Sequence, residues 1–236
     1  MSRHSFLPDS RMPPTLRLHS GGSSTTMAKF RTIGLLVLCL AAYKPANAQQ
    51  FAQPGNFDFY VFTLSWSPQF CASNQNQKAE CHVPGNSFVV HGLWPQFKSG
   101  SWPANCSGVP GPADPSKEAD IMGDPTLVEH EWKTHGTCSG LSVDGYFALI
   151  KIVRQSIVIP DAFVHQIQNA QLSPSAIKTR FLAANPQLTS SEIAVGCANN
   201  ALVQVQVCLA KDGTGIACSG IKDCHAPLVN VLPILQ

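Results

Sequence analysis

Charged side chains are scarce: Lys, Arg, Asp and Glu make up 13% of the 236 residues, with 16 cations against 14 acids. A balance of +2 provides no broad basic surface of the kind that holds nucleic acid non-specifically, so any polyanionic substrate has to be held by a local cluster. The apolar run IGLLVLCLAA (33–42) is too short to cross a bilayer. No C-x-x-C pair occurs, which argues against cysteine-ligated zinc modules. There is no internal repeat, and strand and helix patterns do not alternate regularly. A doubly wound parallel sheet is therefore disfavoured against a mixed α+β sheet.

The first 48 residues differ from the rest. Residues 1–26 are rich in Ser, Pro and Arg without periodicity and read as a disordered leader or an over-extended start. Residues 27–48 have the layout of an export signal: Lys29 and Arg31, then the apolar run, then a small-x-small site ending at Ala48. The remainder, 49–236, suits a single domain. Cleavage after Ala48 leaves ten cations against thirteen acids, a balance of −3. Of nine cysteines only Cys39 lies in the signal, and the remaining eight imply four disulfides in an exported chain, with 105 pairings open.

FDFYVFTLSW (57–66) is dense in aromatic and β-branched residues and predicts a strand ended by Ser67-Pro68. A second strand is expected at SFVVHGLW, with Gly92 and Pro95 breaking it just after His91. Residues 98–116 form a loop. Helices are expected from Asp124-Pro125 to Gly136, over VDGYFALIKIVRQSI, and from Ser173-Pro174 to Pro186. ALVQVQVCLA (201–210) alternates as a strand with one wet face.

EHEWKTHGTC (129–138) concentrates titratable groups. A helical zinc site needs two histidines four apart, but His130 and His135 are five apart, which turns them about 140° from each other on an ideal helix. No metal site is expected. The alternative, a solvated helix face, does not account for a third histidine upstream in FVVHGLWPQ.

Together, His91-Gly92-Leu93-Trp94-Pro95 and His130-Glu131-Trp132…His135-Gly136-Thr137-Cys138 resemble the two active-site signatures of the ribonuclease T2 family, secreted acid endoribonucleases. FYVFTLSWSPQFC resembles the family's first strand. The resemblance implies an α+β fold with a central, mostly antiparallel sheet packed with several helices. It also implies the disulfides Cys71–Cys81, Cys106–Cys138, Cys197–Cys224 and Cys208–Cys218. The implied activity is cleavage of single-stranded RNA without metal or cofactor, through 2′,3′-cyclic phosphates to 3′-phosphate ends. The chemistry suits the residue types, because the 2′-hydroxyl of RNA is an internal nucleophile that needs only a base, an acid and charge stabilisation.

By position, His135 would be the base, His91 the acid, His130 a phosphate ligand and Glu131 a stabiliser of the transition state. Trp94, Gln96 and Phe97 would line a base pocket. Thr134 stands where the family has lysine, and Lys133 lies one place earlier, about 100° around the helix, so its catalytic role is in question. The expected protein is a monomer without a membrane anchor, secreted or periplasmic. The competing expectation is a catalytically silent RNA-binding or cytotoxic member of the same fold.

Overall fold

The computed structural model describes residues 52–74 and 79–234. The leader and the export signal lie outside the described residues. The strand predicted from aromatic and β-branched residues is β1 (Phe59–Trp66). Its even positions Tyr60, Phe62, Leu64 and Trp66 join the main core, while Phe59 and Val61 pack with Cys208 on the opposite face. Ser67-Pro68 ends the strand and also starts α1 (Ser67–Ser73), with proline in the first turn where its missing N–H costs nothing.

The second strand, β2 (Phe88–Gln96), pairs antiparallel with β1. It does not break after His91 as the glycine and proline suggested. The register steps from Leu64↔Val90 to Thr63↔Gly92, leaving His91 as the extra residue of a β-bulge. A bulge re-aims the side chains around it. Here Val90 and Leu93 both face the main core, so His91 and Gly92 lie consecutively on the other face.

β5 (Ala201–Leu209) pairs antiparallel with β1 and with β4 (Ile193–Ala198), and the short β6 (Val229–Val231) and β3 (Ala170–Leu172) complete a mostly antiparallel six-stranded sheet. The alternation in β5 is real, but its polar face is only partly open to water: Gln204 is half-buried, while Gln206 is buried and donates to Thr63 Oγ1 at 3.3 Å.

The helices appear where periodicity placed them. α3 (Pro125–Thr134) is capped by the Asp124 carboxylate, which accepts from Thr126 N–H at 2.8 Å. α4 (Val143–Ser156) buries Tyr146, Phe147, Ile150 and Val153, and α6 (Pro174–Ala184) buries Ile177 and Phe181. The short helices α2 (Ala119–Met122) and α5 (Asp161–Val164) gave no sequence signal. All four disulfides implied by the resemblance are formed. Among the described residues no helix is long and apolar enough to cross a membrane.

Candidate active site

The bulge in β2 and the C-terminal end of α3 face each other. Glu131 and His135 are four residues apart and share the helix face toward the sheet, because i and i+4 lie one above the other. Both are buried, Glu131 completely. The Trp94 indole N–H donates to Glu131 Oε2 at 2.7 Å. Glu131 Oε1 lies 3.6 Å from His91 Nε2. On its other side, His91 Nδ1 lies 2.9 Å from Ser65 Oγ of β1. The Trp94 ring sits 5.3 Å from both the His91 and the His135 rings, edge-on to the first and stacked on the second. His130, exposed on the flank of α3, has its ring 6.5 Å from that of His135. His135 is the C-cap residue of α3, and its N–H still donates to the Glu131 carbonyl at 2.9 Å, one turn below.

His91 and His135 are each followed by a glycine, and packing explains both. A Cβ on Gly92 would stand 1.9 Å from Glu131 Oε2, so the carboxyl occupies the space a side chain would take. A Cβ on Gly136 would stand 2.5 Å from Trp132 and 3.0 Å from Tyr146. Tyr146 in turn donates to the Leu93 carbonyl at 2.9 Å, tying α4 to the far side of β2.

Burial governs the ionisation of these groups. Desolvation pulls the His91 imidazole down to about 4, helped by the nearby charge of His130. Desolvation, then the charges of His130 and His91, brings His135 to about 4. Burial pushes the Glu131 carboxyl up to about 8, opposed by the hydrogen bond from Trp94. In mildly acidic solution the His91 and His135 rings of the unliganded site are therefore neutral and the Glu131 carboxyl is protonated.

The remaining sequence candidates divide. Gln96 and Thr134 line the same cavity, about 740 Å³, as Trp94 and His135. Phe97 packs against the main core and does not line that cavity. Lys133 is exposed and lines a separate hollow with Glu129 and Trp132 beneath the 107–112 loop. Its one-residue displacement along the helix has turned it away from the histidines. Two residues escaped the sequence reading. Ser65 is an ordinary strand serine by its local pattern, and Trp102, 59% exposed at the wall of the larger cavity, lies in a loop without periodicity.

A buried carboxyl among three imidazoles, mounted on a disulfide-stapled and mostly antiparallel sheet, defines an α+β protein with a site equipped for acid–base chemistry. The chain belongs to the ribonuclease T2 family, whose family model matches residues 57–224. It is 37% identical over 128 residues to a ribonuclease of Aeromonas hydrophila, covering 53% of this chain and 58% of that protein's length. Ribonuclease 1 of Arabidopsis thaliana is 26% identical over 223 residues, 80% of this chain and 90% of the relative. A solved structure of an RNase MC1 variant in complex with 5′-GMP superposes with a TM-score of 0.60 at 25% identity, covering 73% of this chain and 98% of that one.

Proposed function

We propose that the protein is an exported endoribonuclease that cleaves single-stranded RNA by metal-independent transphosphorylation. The observation that supports this reading is the grouping of the His91 and His135 rings, each 5.3 Å from the Trp94 ring and close enough for the charge of one to act on the other, as expected of two proton-transfer groups that serve one phosphodiester. His135 takes the 2′-hydroxyl proton as the 2′-oxygen attacks phosphorus. The P–O5′ bond breaks and His91 delivers a proton to the departing O5′, leaving a 2′,3′-cyclic phosphate. Water, with the two roles exchanged, then opens the ring to a 3′-phosphate. His130 holds a phosphate oxygen from the cleft rim, and Glu131 stabilises the pentacoordinate state. Trp94, Gln96 and Trp102 form the base pocket, while Phe97 and Lys133 play no direct part.

Above about pH 4 the acid His91 is mostly unprotonated in the free protein. A bound phosphodiester carries a negative charge and raises the affinity of both rings for protons, which carries cleavage from strongly into mildly acidic solution. Export fits the 27–48 signal and the four disulfides, which form and persist in an oxidising compartment.

Thr134 in place of the family's lysine is the observation that favours a catalytically silent RNA-binding member. One assay separates the two readings: digestion of single-stranded RNA at pH 5 in EDTA, with His91→Ala alongside. Cleavage in EDTA giving cyclic phosphate ends first, and a loss in His91→Ala of at least about 100-fold, is expected. An inactive wild type favours the silent member, and cleavage abolished by EDTA overturns metal independence.

A further inference from the structure

Ser65 touches the site at a position that neither signature covers. We propose that Ser65 is a positioning residue for the general acid: its hydroxyl holds the His91 ring by Nδ1 and accepts a hydrogen bond from Nδ1–H of the imidazolium, leaving the Nε2 proton to be delivered to the leaving oxygen. This rests on the assignment of His91 as the acid in the proposed function.

The geometry is local and specific. Ser65 lies on the face of β1 opposite the main core, is 7% exposed and stands 2.9 Å from Nδ1. It pairs with Val89, two residues before the bulged histidine. The bulge releases the His91 backbone from the regular ladder, so the ring needs a side-chain anchor, and Ser65 is the hydrogen-bond partner of Nδ1 among the described residues. Nε2 points the other way, to within 3.6 Å of Glu131.

A hydroxyl suits this place because it rotates to donate or accept. Toward a neutral ring it either donates to a bare Nδ1 or accepts from Nδ1–H. Toward an imidazolium, whose two nitrogens both carry protons, it can only accept. One group therefore serves the ring on both sides of proton transfer without adding charge. The other titratable groups facing His91 are Glu131, His130 and His135 from α3, with Glu80 and Asp124 lining the same hollow from flanking segments.

Two substrates that differ in their need for an acid test the proposal. A dinucleotide such as UpA has an alkoxide leaving group that must be protonated, whereas a uridine 3′-(4-nitrophenyl phosphate) releases a phenolate that leaves unaided. Ser65→Ala should lower kcat on UpA by roughly tenfold or more, with the alkaline limb of its pH profile, set by the acid His91, displaced to lower pH, while the nitrophenyl ester is turned over at nearly the wild-type rate. Ser65→Thr, which retains the hydroxyl, should recover UpA cleavage, and turnover of the activated ester shows that each variant is folded. Equal losses on both substrates, or an unchanged UpA profile in Ser65→Ala, would overturn the role. A wild-type protein inactive on both substrates would instead overturn the ribonuclease reading itself.

Discussion

The Gly92 position shows how a single missing side chain shapes the site. Glu131 Oε2 lies where the Cβ of residue 92 would be, and the same oxygen accepts from Trp94. Gly92→Ala cannot be absorbed by a flexible side-chain tip, because the displaced carboxyl is completely buried in the wall of the cleft. Overpacking of this kind costs about 1–3 kcal/mol. Catalysis should suffer more than stability, since moving Glu131 also breaks its contact with Trp94 and its approach to His91. The expected result is a soluble protein whose thermal midpoint falls by only a few degrees and whose kcat/KM falls by more than about tenfold. An unchanged kcat/KM would mean that Glu131 has room that the structure does not show.

At the scale of elements, much was legible in the sequence because the signals were local. β1 followed from a run of aromatic and β-branched residues, α3 from Asp-Pro at its start, and α4 from apolar residues at helical spacing. The bulge at His91 was not legible, because a register shift is a property of two strands and only one of them carries the Gly-Leu-Trp-Pro pattern. The partial covering of the polar face of β5 escaped for the same reason: Gln206 finds Thr63, more than 140 residues away. The site divided along the same line. Residues inside the two signatures came together, whereas Ser65 and Trp102 join them only through tertiary packing.

The joint between loop and helix at Cys106–Cys138 belongs to this scale too. The bridge spans a separation of 32 residues, beside two hydrogen bonds: Asn105 N–H to the Thr134 carbonyl at 2.9 Å and Cys106 N–H to Thr137 Oγ1 at 3.1 Å. Closing a loop of that length restricts the unfolded chain by roughly 3–4 kcal/mol. The hydrogen bonds still hold the helix end in the folded state when the sulfurs are gone. The Cys106→Ala/Cys138→Ala double variant should therefore melt about 10 °C lower by calorimetry while losing far less kcat at room temperature. A large loss of kcat in a fully folded variant would show that the bridge itself sets the position of His135.

Across the whole molecule, the buried ionisable groups pull stability in opposite directions with pH. His91 and His135 are depressed from 6.5 to about 4 in the folded state, so the unfolded chain binds more protons across that window and their contribution is lost as pH falls through it. Glu131 is raised from 4.5 to about 8, so the folded state binds the extra proton and its contribution is lost as pH rises from 4.5 to 8. Between pH 6.5 and 8 the carboxyl alone of these three is still changing. Glu131→Gln keeps an acceptor for the Trp94 indole and removes the ionisation. Its thermal midpoint relative to wild type should therefore climb steadily from pH 4.5 to pH 8 and then level off. Parallel curves for the two proteins over that range would show that Glu131 ionises in the fold as it does in water, and the protonated carboxyl beside His91 would have to be abandoned.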